Sequence, residues 1–354
     1  MNRLVLAVLV SAVVAAAPQA ARTLDIYFID VEGGQATLVV TPAGESLLMD
    51  AGFPSDVATI APAFNEESTP PDHPRDPERV VAAAKAAGLT KIDYVMMTHS
   101  HADHGGGIPD VGRRLPIGTF IDHIPPTDAA EQNVKGTRIV YERYLEAGKG
   151  KKHIQPKAGA ALPMKGVDVT FVSANGVVPS TPLSGGGQPN PTCTGTGLPA
   201  QEKYENPFSH GVRIQYGRFR FLSIGDLTGA PLFALACPVN LVGPIDVYQV
   251  SHHGGNDAAD PFLYTAIKPV VAIFNNGVRK GAQADTMKAV QALGLETWQI
   301  HKTTNAGAPN APDARIANLD DTTAHWIKVS ARDDGSFTVT NPRTGEIKSY
   351  KPRS

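Results

Sequence analysis

The stretch Thr98-His99-Ser100-His101-Ala102-Asp103-His104-Gly105-Gly106-Gly107 constrains this chain more than any other. It follows directly on residues 92–97, an apolar run that reads as a buried strand. His99 and His101, at i and i+2, project from one face where the strand runs out. Asp103 and His104 are adjacent in the following turn and point in different directions. One pair can hold one metal ion, and the other pair a second ion beside it. Imidazole and carboxylate without thiolate suit zinc, and also manganese or iron. The three glycines are expected to let the backbone pass close to the ions.

Other strands end in polar tips of the same kind. A hairpin over 211–216 and 219–224, turning at Gly217-Arg218, ends in Gly225-Asp226. A strand over 245–250 ends in Ser251-His252-His253-Gly254-Gly255. Upstream, strands at 23–31, 35–41 and 46–49 form a meander that closes at Asp50-Ala51-Gly52. A helix is predicted over 77–87, with Pro77 in its first turn, Glu78 at the positive end of the dipole and Gly88 as the stop. Further helices are expected at 134–147, 259–267 and 284–293, and further strands at 92–97, 167–172, 270–274, 298–301, 325–329 and 337–339. Loops at 53–77 and 174–206 are expected to shape a pocket mouth. Meander, helix and tipped strand are followed by hairpin, tipped strand and helix. The repetition suggests two sheets packed face to face with helices outside, as one domain over 22–354.

Composition sets the compartment and narrows the partners. After Met1-Asn2-Arg3, residues 4–17 are unbroken small and aliphatic side chains, shorter than the about 20 residues a membrane span needs. This suits an export signal over 1–21, with the cut left open because Pro18 follows Ala17. The mature chain is then expected to be secreted or periplasmic, with no membrane segment. In such a compartment Cys193 and Cys237 can pair. With 42% hydrophobic residues the chain can bury a large core. With 32 basic and 34 acidic residues, charge lends no support to a nucleic-acid partner, and a small molecule or ester is the expected substrate.

The His-x-His-x-Asp-His pattern at 99–104 resembles the signature of the metallo-β-lactamase superfamily. The resemblance covers about residues 25–300. Within that superfamily the chain looks most like the branch holding the hydrolase domain of the bacterial DNA-uptake (competence) channel protein. It shares with that branch Phe28-Ile29-Asp30-Val31, Gly34-Gln35, Met49-Asp50-Ala51-Gly52, Gly225-Asp226 and Ser251-His252-His253-Gly254. The resemblance implies an α/β fold, a four-layer αββα sandwich. It implies that His99 and His101 bind a first metal, Asp103 and His104 a second, and that Asp226 bridges both. His252 or His253 resembles the last ligand of the second metal; His252, which directly follows the strand end, is the favoured one, leaving His253 near the substrate. Asp50 would hydrogen-bond the ligand loop rather than bind metal. The superfamily's third histidine on the first metal falls near His210, where the branch instead carries residues like Asn206 and Ser209. Without His210 the first ion has a thin shell and is expected to bind weakly or to be Mn²⁺.

Two divalent ions about 3.5–4 Å apart, Zn²⁺ or Mn²⁺, would hold a bridging hydroxide near neutral pH, which Asp103 can orient. The expected activity is hydrolysis of phosphodiester or related ester bonds. β-Lactamase or lactonase activity is the alternative, followed by a metal-binding protein without turnover. His73 and His153 are expected to be solvated and His325 structural. His123, His301 and Asn275-Asn276 each end strand-like runs, either at the pocket rim or in structural roles.

Overall fold

The structure, a computed structural model, describes residues 23–56, 75–193, 204–259 and 261–353. The expected export signal, His73 and most of the loop at 53–77 lie outside them. Six strands come first: β1 (Leu24–Phe28), β2 (Thr37–Val40), β3 (Ser46–Met49), β4 (Ile92–Met96), β5 (Ile117–Ile121) and β6 (Lys152–Ile154). Then follow β7 (Ala161–Leu162), β8 (Asp168–Ser173), β9 (Gly211–Tyr216), β10 (Phe219–Ser223), β11 (Val247–Gln249), β12 (Val271–Phe274), β13 (Glu296–His301) and β14 (Ile316–Asn318). The last three are β15 (Ile327–Ala331), β16 (Phe337–Asn341) and β17 (Glu346–Tyr350). One sheet runs β17-β16-β15-β1-β2-β3-β4-β5-β6 and the other β14-β13-β12-β11-β10-β9-β8-β7.

Three apolar clusters define four layers, which is the expected αββα order. Leu24, Ile26, Phe28 and Met96 of the first sheet meet Phe171, Phe221, Ile273 and Trp298 of the second in a core between the sheets. On the outer face of the first sheet, Val80, Val111 and Tyr144 from three helices cover Tyr27, Leu48 and Val95. On the outer face of the second, Leu235, Phe262 and Val290 cover Leu222, Tyr248 and Ala272. Residues alternating along each strand therefore serve two cores, which is why the strands read as continuous apolar runs. Among the described residues, no helix is long and apolar enough to cross a membrane.

Most elements fall within a few residues of their expected bounds. The helix expected at 77–87 is Asp76–Ala86, with Pro77 at its start and Gly88 in the left-handed region (φ 76°) after its end. The helix expected at 134–147 is two, Asp128–Asn133 and Thr137–Ala147. Gly136 in the left-handed region (φ 94°) separates them. The helix Gly229–Ala236 was not foreseen. Its glycine, proline and small apolar residues carry no amphipathic signal, because it packs between the sheet and the helix Pro261–Ile267. Cys193 and Cys237 are joined by a disulfide.

Topology places the polar tips together. β3, β4, β5 and β6 run parallel in one sheet, and β10, β11, β12, β13 and β14 in the other. The segments after β3, β4, β10, β11 and β12 thus leave from carboxyl ends, the edge at which open α/β sheets place ligands. The sheets are stitched there by His210 N donating to the Thr98 carbonyl (2.8 Å) and by Thr37 Oγ1 donating to Gln249 Oε1 (3.1 Å).

Beside this edge lies a buried carboxyl of unusual acidity. Burial, and then the nearby Glu32, raise Asp76 to about 7 against the opposing Arg75 and Arg79. One oxygen accepts the Phe53 N–H at 2.7 Å, and the other has no partner. The folded state thus favours the protonated form. Its contribution to stability is complete below the unfolded pKa near 3.8 and is lost as pH rises through about 7. Asp76→Asn keeps an acceptor without the ionisation. Its stability relative to the parent is expected to rise by about 2–3 kcal/mol between pH 5 and pH 7. Urea denaturation of both proteins at the two pH values measures this, and parallel pH profiles would contradict it.

Candidate metal centre

The ligand loop takes its shape from Asp50. This buried aspartate, itself in the left-handed region (φ 59°), follows β3. It accepts from Thr98 N and Thr98 Oγ1 (both 2.7 Å), from Gln35 Nε2 (3.0 Å) and from His104 Nδ1 (2.8 Å). With Nδ1 so engaged, His104 Nε2 is turned toward Asp226. His253 is oriented in the same way, its Nδ1 donating to the Asn275 carbonyl at 3.2 Å. A histidine fixed through one nitrogen and presenting the other is the usual arrangement of a metal ligand.

Four donors converge. Single ligand atoms of Asp103, His104, Asp226 and His253, all buried, lie within 4.8 Å of one another. Asp226 Oδ2 is 3.1 Å from His104 Nε2 and 3.3 Å from His253 Nε2. Asp103 Oδ2 is 3.4 Å and 3.2 Å from the same two nitrogens. His99 adjoins this group, with Nε2 3.9 Å from Asp226 Oδ2 and 3.0 Å from His101 Nδ1.

Close approach of backbones permits the convergence. Gly225 holds φ 54°, and a Cβ there would stand 2.9 Å from Thr98 Cβ, so the Asp226 loop presses directly on the first loop. A Cβ on Gly34 would meet the Asp103 carbonyl. Gly105, Gly106 and Gly107 are closely packed as well. They pack against Met97, Ala102, Pro54 and Ala51, seating the start of the next helix on the meander.

Of the adjacent pair, it is His253 rather than the favoured His252 that joins the grouped donors. Both occupy the left-handed region, with φ of 49° and 53°, a conformation that costs a non-glycine residue energy and is concentrated at functional sites. The result turns two adjacent rings to different sides. His253, not His252, belongs to the four-donor group. His252 Nδ1 is held at 2.8 Å by both oxygens of Asp257, while its Nε2 lies 3.7 Å from Asp226 Oδ2 and 3.3 Å from Asn206 Nδ2.

His210 does not face the centre through its bonded nitrogen. Its Nε2 contacts Asn175 Oδ1 at 2.9 Å, and its ring packs on His123 with centroids 4.8 Å apart. His123 is bonded to the carbonyls of Ile124 and Phe208, and His301 to Asp30 at 2.8 Å, both among buried structural groups. His153 is exposed and paired with Asp122 at 2.7 Å.

Several groups at the site escaped sequence reading. Glu205 accepts the Ser100 N–H at 3.2 Å from a buried position. Asp257 orients His252, and Lys280 is ion-paired with Asp103. Lys280 had one available signal. It lies in the loop after β12, the parallel neighbour of β11, and so returns to the same edge.

The electrostatics suit a cation. Burial alone would raise the Asp103 and Asp226 carboxyls. Lys280 and His104 outweigh it at Asp103, and His104, His253 and His252 at Asp226, so both stay well below the usual range. Burial, followed by His104 and His101, holds His99 well below the usual imidazole range, and burial lowers His101 to about 4. Burial opposes charge on His104 as well, but Asp226, Asp103 and Asp50 prevail and lift it well above that range. Ionised carboxylates and neutral imidazoles are the forms that bind metal, so a cation would displace the proton that the carboxylates hold on His104. Asp226 Oδ1 and His101 Nε2 are buried without partners, so donor capacity remains unspent. The residues fit divalent metal.

The two-sheet αββα sandwich thus gathers histidines and aspartates at its strand ends into one candidate site for divalent metal. Residues 29–132 match the family model described as Metallo-beta-lactamase superfamily. No curated protein matches the chain. Among solved structures it is similar to Igni18, a metallo hydrolase from the archaeon Ignicoccus hospitalis. That match has 15% identity, covers 80% of this chain and 96% of that one, and has a TM-score of 0.42. It is also similar to CmlA, a diiron beta-hydroxylase from Streptomyces venezuelae, at 12% identity, 80% and 53% coverage and a TM-score of 0.45. A metallo-beta-lactamase from Cronobacter sakazakii matches at 13% identity, 56% and 61% coverage and a TM-score of 0.30. The chain spans about half the length of CmlA and under two thirds of the Cronobacter protein. None of these likenesses bears on substrate.

Proposed function

We propose that the chain is an exported dinuclear-metal hydrolase of phosphodiester or related ester bonds. The observation that carries this reading is the approach of Asp103, His104, Asp226 and His253 to within 4.8 Å across two sheets. In this reading those four hold the second ion. His99, His101 and Asp226 would hold the first, flanked by His252, while the possible ligand His210 is engaged with Asn175. A bound metal pair supplies an activated water and polarises the oxygen of the bond attacked. Asp226 presents one carboxylate to both sides, and Asp103 is positioned to orient the nucleophile. Asp50, Asp257 and the Asn275 carbonyl fix the imidazoles, so that little reorganisation is needed on binding. The Cys193–Cys237 bridge supports an oxidising compartment, secreted or periplasmic. The phosphodiester preference rests on resemblance to the competence-type branch, with the ions being Zn²⁺ or Mn²⁺.

Metal analysis of the purified protein, followed by assays with bis(p-nitrophenyl) phosphate, a chromogenic β-lactam and a lactone, tests the reading. Two ions per chain and turnover of the diester support it. Turnover of the lactam or lactone alone moves the activity to C–N or cyclic ester hydrolysis. Bound metal with no turnover leaves a metal-binding protein. His253→Ala is expected to lose the second ion and His252→Ala to weaken the first. Equal metal content in both variants and the parent would overturn that assignment.

A further inference from the structure

We propose that Lys280 is the substrate-anion clamp of this centre. The molecule hydrolysed would then carry a compact oxyanion, phosphoryl or carboxylate, beside the bond that breaks. The inference rests on the hydrolase reading above and names the charge of its substrate.

Lys280 comes to the centre on a built support. Its Nζ is ion-paired with Asp103 and lies 5.5 Å from the centroid of the Phe53 ring. The turn that carries it is closed by Gly277 N donating to the Lys280 carbonyl at 2.9 Å. It is then pinned to the histidine loop, where Ala282 N donates to the His253 carbonyl and Gln283 N to the Gly254 carbonyl, both at 2.9 Å. From the other side Asn305 Nδ2 donates to the Gly281 carbonyl at 2.8 Å. Gly281 takes φ 72°, and any Cβ there would run into the His253 carbonyl. A loop that merely carried a solvated lysine would need none of this. Here the ammonium is carried on a turn bonded to the His253 loop, its side chain 26% exposed.

The two asparagines that touch the histidine pair carry unspent polar atoms. Asn275, whose carbonyl orients His253, is 2% exposed, and neither Oδ1 nor Nδ2 of its side chain has a partner. Asn206 directs its amide at His252 while its Oδ1 is buried and unpartnered. Buried polar atoms of this kind are normally satisfied, and a polar ligand would do so here.

Charge decides what that ligand is. Asp103 serves the second metal in the reading above, and a divalent ion on its carboxylate repels an ammonium at the same oxygen. A separate anion beside Nζ would relieve that repulsion. A lysine is a compact point charge on a flexible stem and suits a small oxyanion from either source. The near-balanced total charge of the chain supplies no such attraction at long range. The selection is local.

Binding of inorganic phosphate and of acetate to the metal-loaded full chain, measured by calorimetry, tests this without turnover. Lys280→Met is expected to weaken the bound oxyanion about tenfold, and Lys280→Arg to recover most of the loss. Metal content should match the parent in both variants. Tighter phosphate than acetate names a phosphoryl group, and the reverse a carboxylate. In assays with bis(p-nitrophenyl) phosphate, Lys280→Met should raise KM about tenfold and lower kcat less. Equal oxyanion affinity in parent and Lys280→Met overturns the proposal, as does failure of the parent to bind either anion. Loss of metal from Lys280→Met also overturns it, since the lysine would then be scaffolding for Asp103. Lysine-dependent oxyanion binding without hydrolysis of any ester leaves the clamp standing and defeats the hydrolase reading instead.

Discussion

Asp226→Ala is expected to leave the sandwich folded, to reduce bound metal from two ions to one or none, and to lower hydrolysis by on the order of 10³-fold or more. The size follows from position. One oxygen of Asp226 is 3.1 Å from His104, 3.3 Å from His253, 3.7 Å from His252 and 3.9 Å from His99, so a single carboxylate addresses both histidine groups. Its second oxygen is buried and uncommitted. A substitution at His101 or His253 removes a donor from one side, whereas this one removes a donor and a negative charge from both. Asp226→Asn separates the two effects, keeping volume and one acceptor while losing the charge. The loss of metal also has a thermal signature, because a ligand that binds only the native state raises its stability. The rise in unfolding temperature on metal addition should shrink or vanish in both variants. Two ions and parental turnover in Asp226→Ala would end the dinuclear reading.

Cys237→Ser is expected to cost about 4 kcal/mol of stability, the loop-closure contribution of a bridge of this span. The disulfide joins residues 44 apart, and the enclosed chain includes β9, β10 and the Asp226 loop. Cys237 closes the helix Gly229–Ala236 and is 6% exposed within the apolar layer outside the second sheet. The hydroxyl introduced there adds a desolvation penalty, so the reduced parent protein is the cleaner measure. Both should show lower denaturant midpoints than the oxidised parent. The metal-loaded site should persist under mild conditions, because the bridge touches none of its donors. Coincident midpoints for oxidised and reduced parent would remove the bridge from the stability of the fold.

Much of the centre was legible because its donors are close in sequence or sit at recognisable strand ends. His99, His101, Asp103 and His104 lie within one loop after an apolar run, and Asp226 and the His252-His253 pair follow two more. Strand runs, turn glycines and the helix stop at Gly88 are local signals, and they placed most elements to within a few residues. The helix Gly229–Ala236 was not legible, since burial on several sides erases the amphipathic period. Nor could spacing tell which of two adjacent histidines would turn inward. That choice depends on two left-handed residues and on the Asn275 carbonyl of a neighbouring strand.

By itself, then, the sequence determined the strand-rich α/β architecture and which candidate donors share a loop, because these depend on side-chain type and short-range periodicity. Tertiary structure alone decided the partners. It turned His210 to Asn175, set Asp257 behind His252 and brought Lys280 to Asp103 from 177 positions away. Contacts at such separations are chosen by how two sheets stack and where parallel strands end, and no local pattern encodes that choice.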